Sequence, residues 1–199
     1  EEGRFGGMLG SQALAGQLSP GVILAARDLN GVTLTDAMAA AGFDAQQMPL
    51  AERDRKTLHA FVELHIEQGP VLDSMNCPIG LVQAITGLFK WEITLEGESN
   101  HAGTTPMNMR RDALQGVVDF ASQLQRVLDE YGTCHSRATI GKLQVFPGAA
   151  NVVPGKAVFT LEVRDTDAEV MKQLGDAFQR TLFAVARKHD LVKNFVILS

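Results

Sequence analysis

The sequence predicts a mixed α/β (α+β) protein whose second half is an open-faced sandwich, with two helices covering one face of an antiparallel sheet. Residues 88–199 contain segments with apolar side chains at every second position and segments with helical spacing, in the order βαββαβ. The chain has 199 residues, 45% of them hydrophobic, which is enough to fill a core. The βαββαβ order is typical of the ferredoxin-like arrangement.

The elements of this half follow from residue spacing. Trp91, Ile93 and Leu95 alternate with polar residues, which predicts a half-buried strand. Apolar residues then recur at helical spacing from Leu114 to Tyr131, and a glycine follows this helix. The spacing further predicts strands at 137–145 and 157–164, a helix with an apolar stripe from 171 to 189, and a terminal strand.

Residues 1–85 are less regular, because glycines interrupt the opening segment. The clearest element predicted there is a strand at 60–67. It has Val62, Leu64 and Ile66 on one face and Glu63, His65 and Glu67 on the other. We therefore divide the chain into 1–85 and 86–199.

Composition excludes several classes of protein. The formal net charge of −5 does not fit a broadly basic nucleic-acid binder, so we expect no nucleic-acid partner. The chain contains no apolar run of about 18 residues, so we expect no membrane partner. Its two cysteines lack the spacing of a metal site or a disulfide scaffold, which favours a cytoplasmic protein.

Two acidic and histidine-containing segments are candidates for metal chemistry. In the pair Glu1-Glu2, neighbouring side chains of an extended segment point apart, so one carboxylate could bind a metal while the other acts as a general base. His65 could be a metal ligand supported by Glu67. From spacing alone, ordinary solvated charges on a surface are the better explanation of both segments. The His65–Glu67 spacing also imitates nucleobase deaminases, but their cysteine motif is missing.

Two loops of the second half carry further candidates. His101 contributes to neither a helix cap nor the core, and beside a glycine and two hydroxyls it suits a carboxylate or a developing oxyanion. Thr105 and Pro106 of the same loop are typical of a helix start. Asn151 and Arg164 could grip a substrate. The alternatives are a plain turn at Asn151 and an ordinary exposed charge at Arg164.

Four segments together resemble the amidase/hydantoinase/carbamoylase family of dinuclear metallo-hydrolases. Residues 1–5, 61–70, 97–107 and 151–155 read EEGRF, FVELHIEQGP, GESNHAGTTPM and NVVPG, in the order of the family. The family includes N-carbamoyl-L-amino-acid hydrolases, β-ureidopropionases and allantoate amidohydrolases. The resemblance spans essentially the whole chain but only the middle of a family chain. It implies a partial catalytic domain at 1–85 and a lid and dimerisation domain at 86–199.

The resemblance also implies a role for each matching residue. Glu1 matches the general base, and Glu2 and His65 match metal ligands. Gln68, His101, Asn151 and Arg164 match residues that line the substrate pocket, and His101 is expected to reach the active site of a partner subunit. The implied partners are a small ureido substrate and a second copy of the chain, which forms a homodimer through the lid.

The resemblance implies two divalent metal ions in the intact enzyme, namely zinc, manganese or cobalt. Only two family ligands have counterparts in this sequence, so we expect the 199-residue chain alone to be inactive. The implied reaction is cleavage of the linear ureido C–N bond of an N-carbamoyl-L-amino acid. Allantoate hydrolysis, a metallopeptidase or aminoacylase of the same superfamily, and a non-enzymatic interaction domain remain as alternatives.

Overall fold

A computed structural model of the chain describes residues 4–198. The chain forms two compact units, of which the first ends at Asn76 and the second begins at Cys77. Strands and long helices occur only in the second unit, among the residues described, and they begin at Gly87. None of the helices within residues 4–198 is both long and apolar enough to cross a membrane.

The first unit consists of short helices around a small core. Its α-helices are α1 (Leu9–Leu14), α2 (Pro20–Ala25), α3 (Leu34–Ala40) and α4 (Val71–Ser74), and it has 3₁₀ turns at Ala45–Ala51 and Arg55–Thr57. Local caps determine where these helices begin: the Ser19 hydroxyl accepts from the Val22 amide, and the Thr33 hydroxyl accepts from the Asp36 amide. The buried core comprises Ala13, Leu18, Ile23, Leu34 and Ala45.

The prediction of a strand at 60–67 is wrong. This segment has no assigned strand or helix, and its apolar side chains lie in solvent: Val62 is 91% exposed and Leu64 is 97% exposed. The alternating pattern is real, but a strand requires a neighbouring strand for its backbone hydrogen bonds. Within residues 4–198 no strand pairs with this segment. The alternating pattern therefore indicates that the segment could form a strand if a neighbouring strand were present.

The second unit contains a five-stranded antiparallel sheet. Its strands are β1 (Gly87–Glu96), β2 (Arg137–Thr139), β3 (Leu143–Phe146), β4 (Lys156–Asp165) and β5 (Val192–Leu198). The strand order is β2-β4-β1-β5, and β3 also pairs with β4. Counting β2 and β3 as one interrupted strand, this is the sheet order of the ferredoxin-like arrangement. The predicted fold class is confirmed.

The second predicted strand is interrupted because it contains one extra residue. Thr139 pairs with Glu162 and Leu143 pairs with Phe159, so four steps along this strand oppose three steps along β4. Such an insertion is a β-bulge, which disrupts the ladder and bends the strand. The segment from β2 to β3 forms one edge of the sheet and β5 forms the other. Val145 and Phe146 therefore lie at an edge of the sheet.

The helices of the second unit are α5 (Ala113–Ser122), α6 (Leu124–Tyr131) and α7 (Ala168–Lys188). A single helix was predicted where α5 and α6 lie. At the break, the Gln123 amide donates to the Phe120 carbonyl three residues back, a 3₁₀-type bond that tightens the turn. The predicted start near Pro106 is also wrong, because Asp112 caps α5 through the Leu114 amide at 2.9 Å.

The core of this unit lies between the sheet and the helices. Three fully buried phenylalanines connect the layers: Phe120 of α5 lies 5.6 Å from Phe159 of β4 and 6.2 Å from Phe178 of α7, measured between ring centroids. Burying one large apolar side chain stabilises a fold by about 1.5–3 kcal/mol. Polar residues of β1 and β4, such as Lys90 and Glu162, alternate with these buried residues and lie on the opposite face of the sheet.

Candidate active site

Two loops at one end of the sheet are joined by backbone hydrogen bonds, and they carry His101 and Asn151. The Ala102 amide donates to the Asn151 carbonyl at 2.8 Å, and the Val153 amide donates to the Asn100 carbonyl at 2.7 Å. These bonds extend the antiparallel pairing of β1 and β4 past the ends of both strands. Residues 50 positions apart in the sequence thus lie side by side.

Close backbone approach at this joint requires glycine. The Gly97 amide donates to the Gly155 carbonyl at 2.8 Å. A Cβ on Gly97 would lie 1.8 Å from the Arg111 carbonyl oxygen, and a Cβ on Gly155 would lie 2.7 Å from the Ser99 amide nitrogen. A larger residue at 155 would therefore push the two loops apart, and one at 97 would displace the backbone of Arg111. The glycines that frame the loops at 97 and 155 have a packing role.

The imidazole of His101 is exposed, and its surroundings favour one tautomer. The Gly103 amide donates to Nδ1 of His101 at 3.1 Å. A neutral ring that accepts at Nδ1 carries its proton on Nε2, which assigns an N–H donor to the outer nitrogen. The Thr105 hydroxyl donates to the His101 carbonyl at 2.8 Å, so it stabilises this turn rather than capping a helix. The loop thus presents a hydrogen-bond donor to solvent.

Arg164 lies at the opposite end of the same sheet. It pairs in register with Leu88 at the start of β1, whereas Asn151 precedes the first residue of β4, Lys156. The eight steps from residue 156 to residue 164 span about 26 Å at about 3.3 Å per strand residue. The Arg164 side chain is exposed, and its Nε donates to the Glu162 carboxylate at 2.8 Å. The structure brings His101 and Asn151 together but separates Arg164 from both.

Asp165, next to Arg164, is 1% exposed and anchors this end of the sheet. Its carboxylate accepts hydrogen bonds from the Ser136 hydroxyl at 2.5 Å and the Thr133 hydroxyl at 2.7 Å. Burial raises the pKa of Asp165, but these hydroxyls and the amides of Asp167 and Thr166 outweigh it and lower the pKa to about 2. The ionised carboxylate therefore ties β4 to the loop before β2.

The candidates of the first unit lie on exposed chain. His65 is exposed, and Gln68 is exposed with a left-handed φ of 55°. Glu67 does not support His65 as predicted, because its carboxylate accepts from the Val71 amide at 2.8 Å and the Leu72 amide at 3.1 Å. A carboxylate is favourable at these amides because the first backbone N–H groups of a helix have no partner within the helix. Glu67 thus anchors the start of α4.

Only one of the predicted metal ligands, His65, belongs to the residues that the structure describes. Glu1 and Glu2 lie outside the described residues. Among residues 4–198, no group of three histidine, cysteine, aspartate or glutamate side chains is arranged to hold a metal ion. The role of His65 as a metal ligand stays a prediction, and in this structure the Glu67 carboxylate beside it binds the Val71 and Leu72 amides.

The comparison with known proteins agrees with the βαββαβ unit. Residues 84–190 match the model of the peptidase dimerisation domain. The chain belongs to this family. An N-carbamoyl-L-amino acid amidohydrolase of Geobacillus stearothermophilus is 40% identical over 194 residues, which are 96% of this chain and 46% of that protein. The allantoate amidohydrolase of Escherichia coli is 39% identical over 92% of this chain and 44% of its own length.

Solved structures give the same result. An amidase of the hydantoinase/carbamoylase family from Burkholderia phymatum matches with a TM-score of 0.89 and 32% identity, over 99% of this chain and 48% of that chain. The predicted resemblance to this family is therefore confirmed. The chain spans about half the length of the relatives it matches.

Proposed function

We propose that this chain is part of a longer metal-dependent amidohydrolase that cleaves the linear ureido C–N bond of an N-carbamoyl-L-amino acid. The observation that carries the proposal is the backbone joint that brings the His101 and Asn151 loops together. Neighbouring loops that carry a histidine and an asparagine can together supply N–H donors to a carbonyl oxygen that gains negative charge during attack by water. The relatives named N-carbamoyl-L-amino acid amidohydrolases support the choice of substrate class.

Each remaining site residue has a proposed role that follows the family resemblance. Arg164 binds the substrate carboxylate, because its guanidinium matches a carboxylate in geometry and charge. Gln68 also lines the substrate pocket. Glu1 takes a proton from the attacking water, and Glu2 and His65 are ligands among the set for two divalent ions. The ligands in this chain are too few for such a site. We therefore expect the chain alone to bind divalent metal weakly and to hydrolyse nothing.

The proposed enzyme is a homodimer whose active sites combine two lids. Within one lid, Arg164 lies about 26 Å along β4 from Lys156, the strand residue next to the joint that carries His101 and Asn151. An N-carbamoyl amino acid is far shorter than this separation, so one lid does not supply both ends of the site. In a two-fold dimer, Arg164 of one subunit and the His101–Asn151 pair of the other meet at the same substrate. The family name of the dimerisation domain supports this assembly.

Mixing inactive subunits of the full-length protein tests this division. When His101→Ala and Arg164→Ala subunits are mixed and allowed to exchange, each mixed dimer regains one working site, because that site combines the unchanged Arg164 of one subunit with the unchanged His101–Asn151 pair of the other. The matched control mixes His101→Ala with Asn151→Ala. Because these residues share a lid, no site is intact and no activity returns. Equal activity of the two mixtures would contradict the division between lids.

A second candidate substrate is allantoate, which also contains a ureido group. The 39% identity to the E. coli allantoate amidohydrolase favours this substrate almost as strongly. The kcat/KM of the full-length protein for a panel of N-carbamoyl-L-amino acids and for allantoate distinguishes the two. Activity on peptides or N-acyl amino acids alone would instead place the protein with the metallopeptidases. We further propose a cytoplasmic enzyme without nucleic-acid or membrane partners, in keeping with the charge and hydropathy of the sequence.

A further inference from the structure

The loop that carries His101 is braced from within the second unit by one arginine. The guanidinium of Arg110 donates from Nη2 to the Ala102 carbonyl at 2.6 Å and from Nε to the Thr105 carbonyl at 3.0 Å. Both carbonyls belong to the turn that immediately follows His101. The planar fork of arginine suits two acceptors held at a defined separation. Arg110 is half-buried, whereas His101 is exposed.

This contact reinforces the backbone joint of the two loops. Ala102, whose carbonyl accepts from Arg110, uses its own amide to bond the Asn151 carbonyl. Thr105, whose carbonyl also accepts from Arg110, uses its amide and its hydroxyl to bond the His101 carbonyl. The two residues that Arg110 contacts are therefore the same two that connect His101 to its own turn and to the neighbouring loop.

We propose that Arg110 is a positioning residue, which acts on the reaction by holding the His101 turn against the Asn151 loop. This inference rests on the proposed function. Arg110 contacts carbonyl oxygens of its own chain and reaches the substrate only through His101 and Asn151. A donor must lie close to the developing charge to act on it, and a misplacement of about 1 Å can cost about 10²-fold in rate. Arg110 adds a constraint from outside the turn to the hydrogen bonds that the turn already makes.

The neighbouring arginine provides a matched control. Arg111 is also half-buried, but its Nε donates to the Asp190 carbonyl at 2.8 Å and forms an ion pair with the Asp190 carboxylate at 2.9 Å. It therefore binds the turn between α7 and β5, away from the His101 loop. Substitution of either arginine removes the same charge and the same kind of side chain. Only Arg110 substitution removes contacts to the turn.

The first experiment measures amide hydrogen exchange in the 199-residue chain. In Arg110→Ala we expect the amides of Ala102 and Thr105 to exchange about tenfold faster or more, while the amides of β1 and β4 keep their protection. In Arg111→Ala the same two amides exchange at the wild-type rate. Unchanged exchange at Ala102 and Thr105 in Arg110→Ala overturns the proposal. Faster exchange throughout the sheet also overturns it, because the role is then one of general stability.

The second experiment measures kcat and KM in the full-length protein. We expect Arg110→Ala to lower kcat by about 10²-fold with a smaller change in KM, and Arg111→Ala to stay near wild type. Millimolar guanidinium should restore part of the kcat of Arg110→Ala and none of that of His101→Ala. Arg110→Lys keeps the charge but cannot span both carbonyls. Its kcat should therefore fall between that of Arg110→Ala and that of the wild type. Equal kcat in Arg110→Ala and Arg111→Ala, or a loss that guanidinium does not restore, overturns the proposal.

The two experiments separate this inference from the proposed function. If the wild-type full-length protein hydrolyses no ureido substrate, the proposed function fails. Hydrogen exchange at Ala102 and Thr105 then decides by itself whether Arg110 holds the turn.

Discussion

The two units of the chain bury their apolar residues to very different extents. In the second unit, alternating strand residues and helical stripes converge on one continuous core that contains three fully buried phenylalanines. Among the described residues of the first unit, the buried core has five small or medium side chains, and large side chains such as Phe61 and Leu64 lie almost entirely in solvent. Both units contain well-patterned apolar sequence. An apolar face stabilises a fold only where a second layer of helices or strands covers that face.

The largest expected effect comes from one substitution made in each unit. Phe120→Ala should lower the free energy of unfolding of the second unit by about 3–5 kcal/mol, because it opens a cavity between α5, β4 and α7. Phe61→Ala, at a side chain that is 85% exposed, should change stability by less than about 0.5 kcal/mol. Urea unfolding of both variants provides the comparison. Similar losses would mean that Phe61 has a partner in solution.

A smaller effect is expected at the buried carboxylate of the second unit. Asp165→Asn should lower stability by about 2–4 kcal/mol, because it removes a charged acceptor from the Ser136 and Thr133 hydroxyls. The control is Asp176→Asn, at an exposed position of α7, which should change little.

The same residue predicts a dependence on pH. The folded-state pKa of Asp165, about 2, lies below its ordinary value of 3.8, so its contribution is complete above pH 4 and is lost as the pH falls toward 2. Urea unfolding of the wild type between pH 5 and pH 2 should show this loss, and the loss should be smaller in Asp165→Asn. An equal slope in both proteins would contradict the assignment.

In the first unit the expected effects are local. Glu67→Ala should speed amide exchange at Val71 and Leu72 by an amount corresponding to about 1 kcal/mol, because its carboxylate accepts from both amides. Glu63→Ala, at an exposed glutamate of the same segment, serves as the control. If both variants exchange at the wild-type rate, the Glu67 contact does not stabilise α4 in solution.

The smallest effect is expected at a surface ion pair of the second unit. The Lys188 ammonium lies 2.7 Å from the Asp119 carboxylate and, with His189, lowers the pKa of Asp119. Lys188→Ala should cost less than about 1 kcal/mol, since solvent screens an exposed pair. The cost should shrink further in high salt. Thermal unfolding at two salt concentrations, with Lys172→Ala as the exposed control on the same helix, measures it.

The sequence by itself determined the βαββαβ order and the residues that share a face, because strand and helix periods are local properties of spacing. Its motifs also led to the family, which the relatives confirm. The prediction from local spacing was wrong where a competing local interaction was stronger. Asp112 rather than Thr105 caps the start of α5, and a 3₁₀ hydrogen bond divides the predicted helix at Gln123. Neither change alters the order of the elements.

Only the tertiary structure decided which site residues meet. Asn151 joins His101 because β1 and β4 are antiparallel neighbours, and Arg164 lies at the far end because it is on the same strand that brings Asn151 in. The bracing by Arg110 was missed, since two consecutive arginines look alike in sequence and differ only in the carbonyls they reach. The segment at 60–67 shows the same limit. Its alternation is encoded locally, but a strand also needs a partner strand, and pairing is a property of the fold.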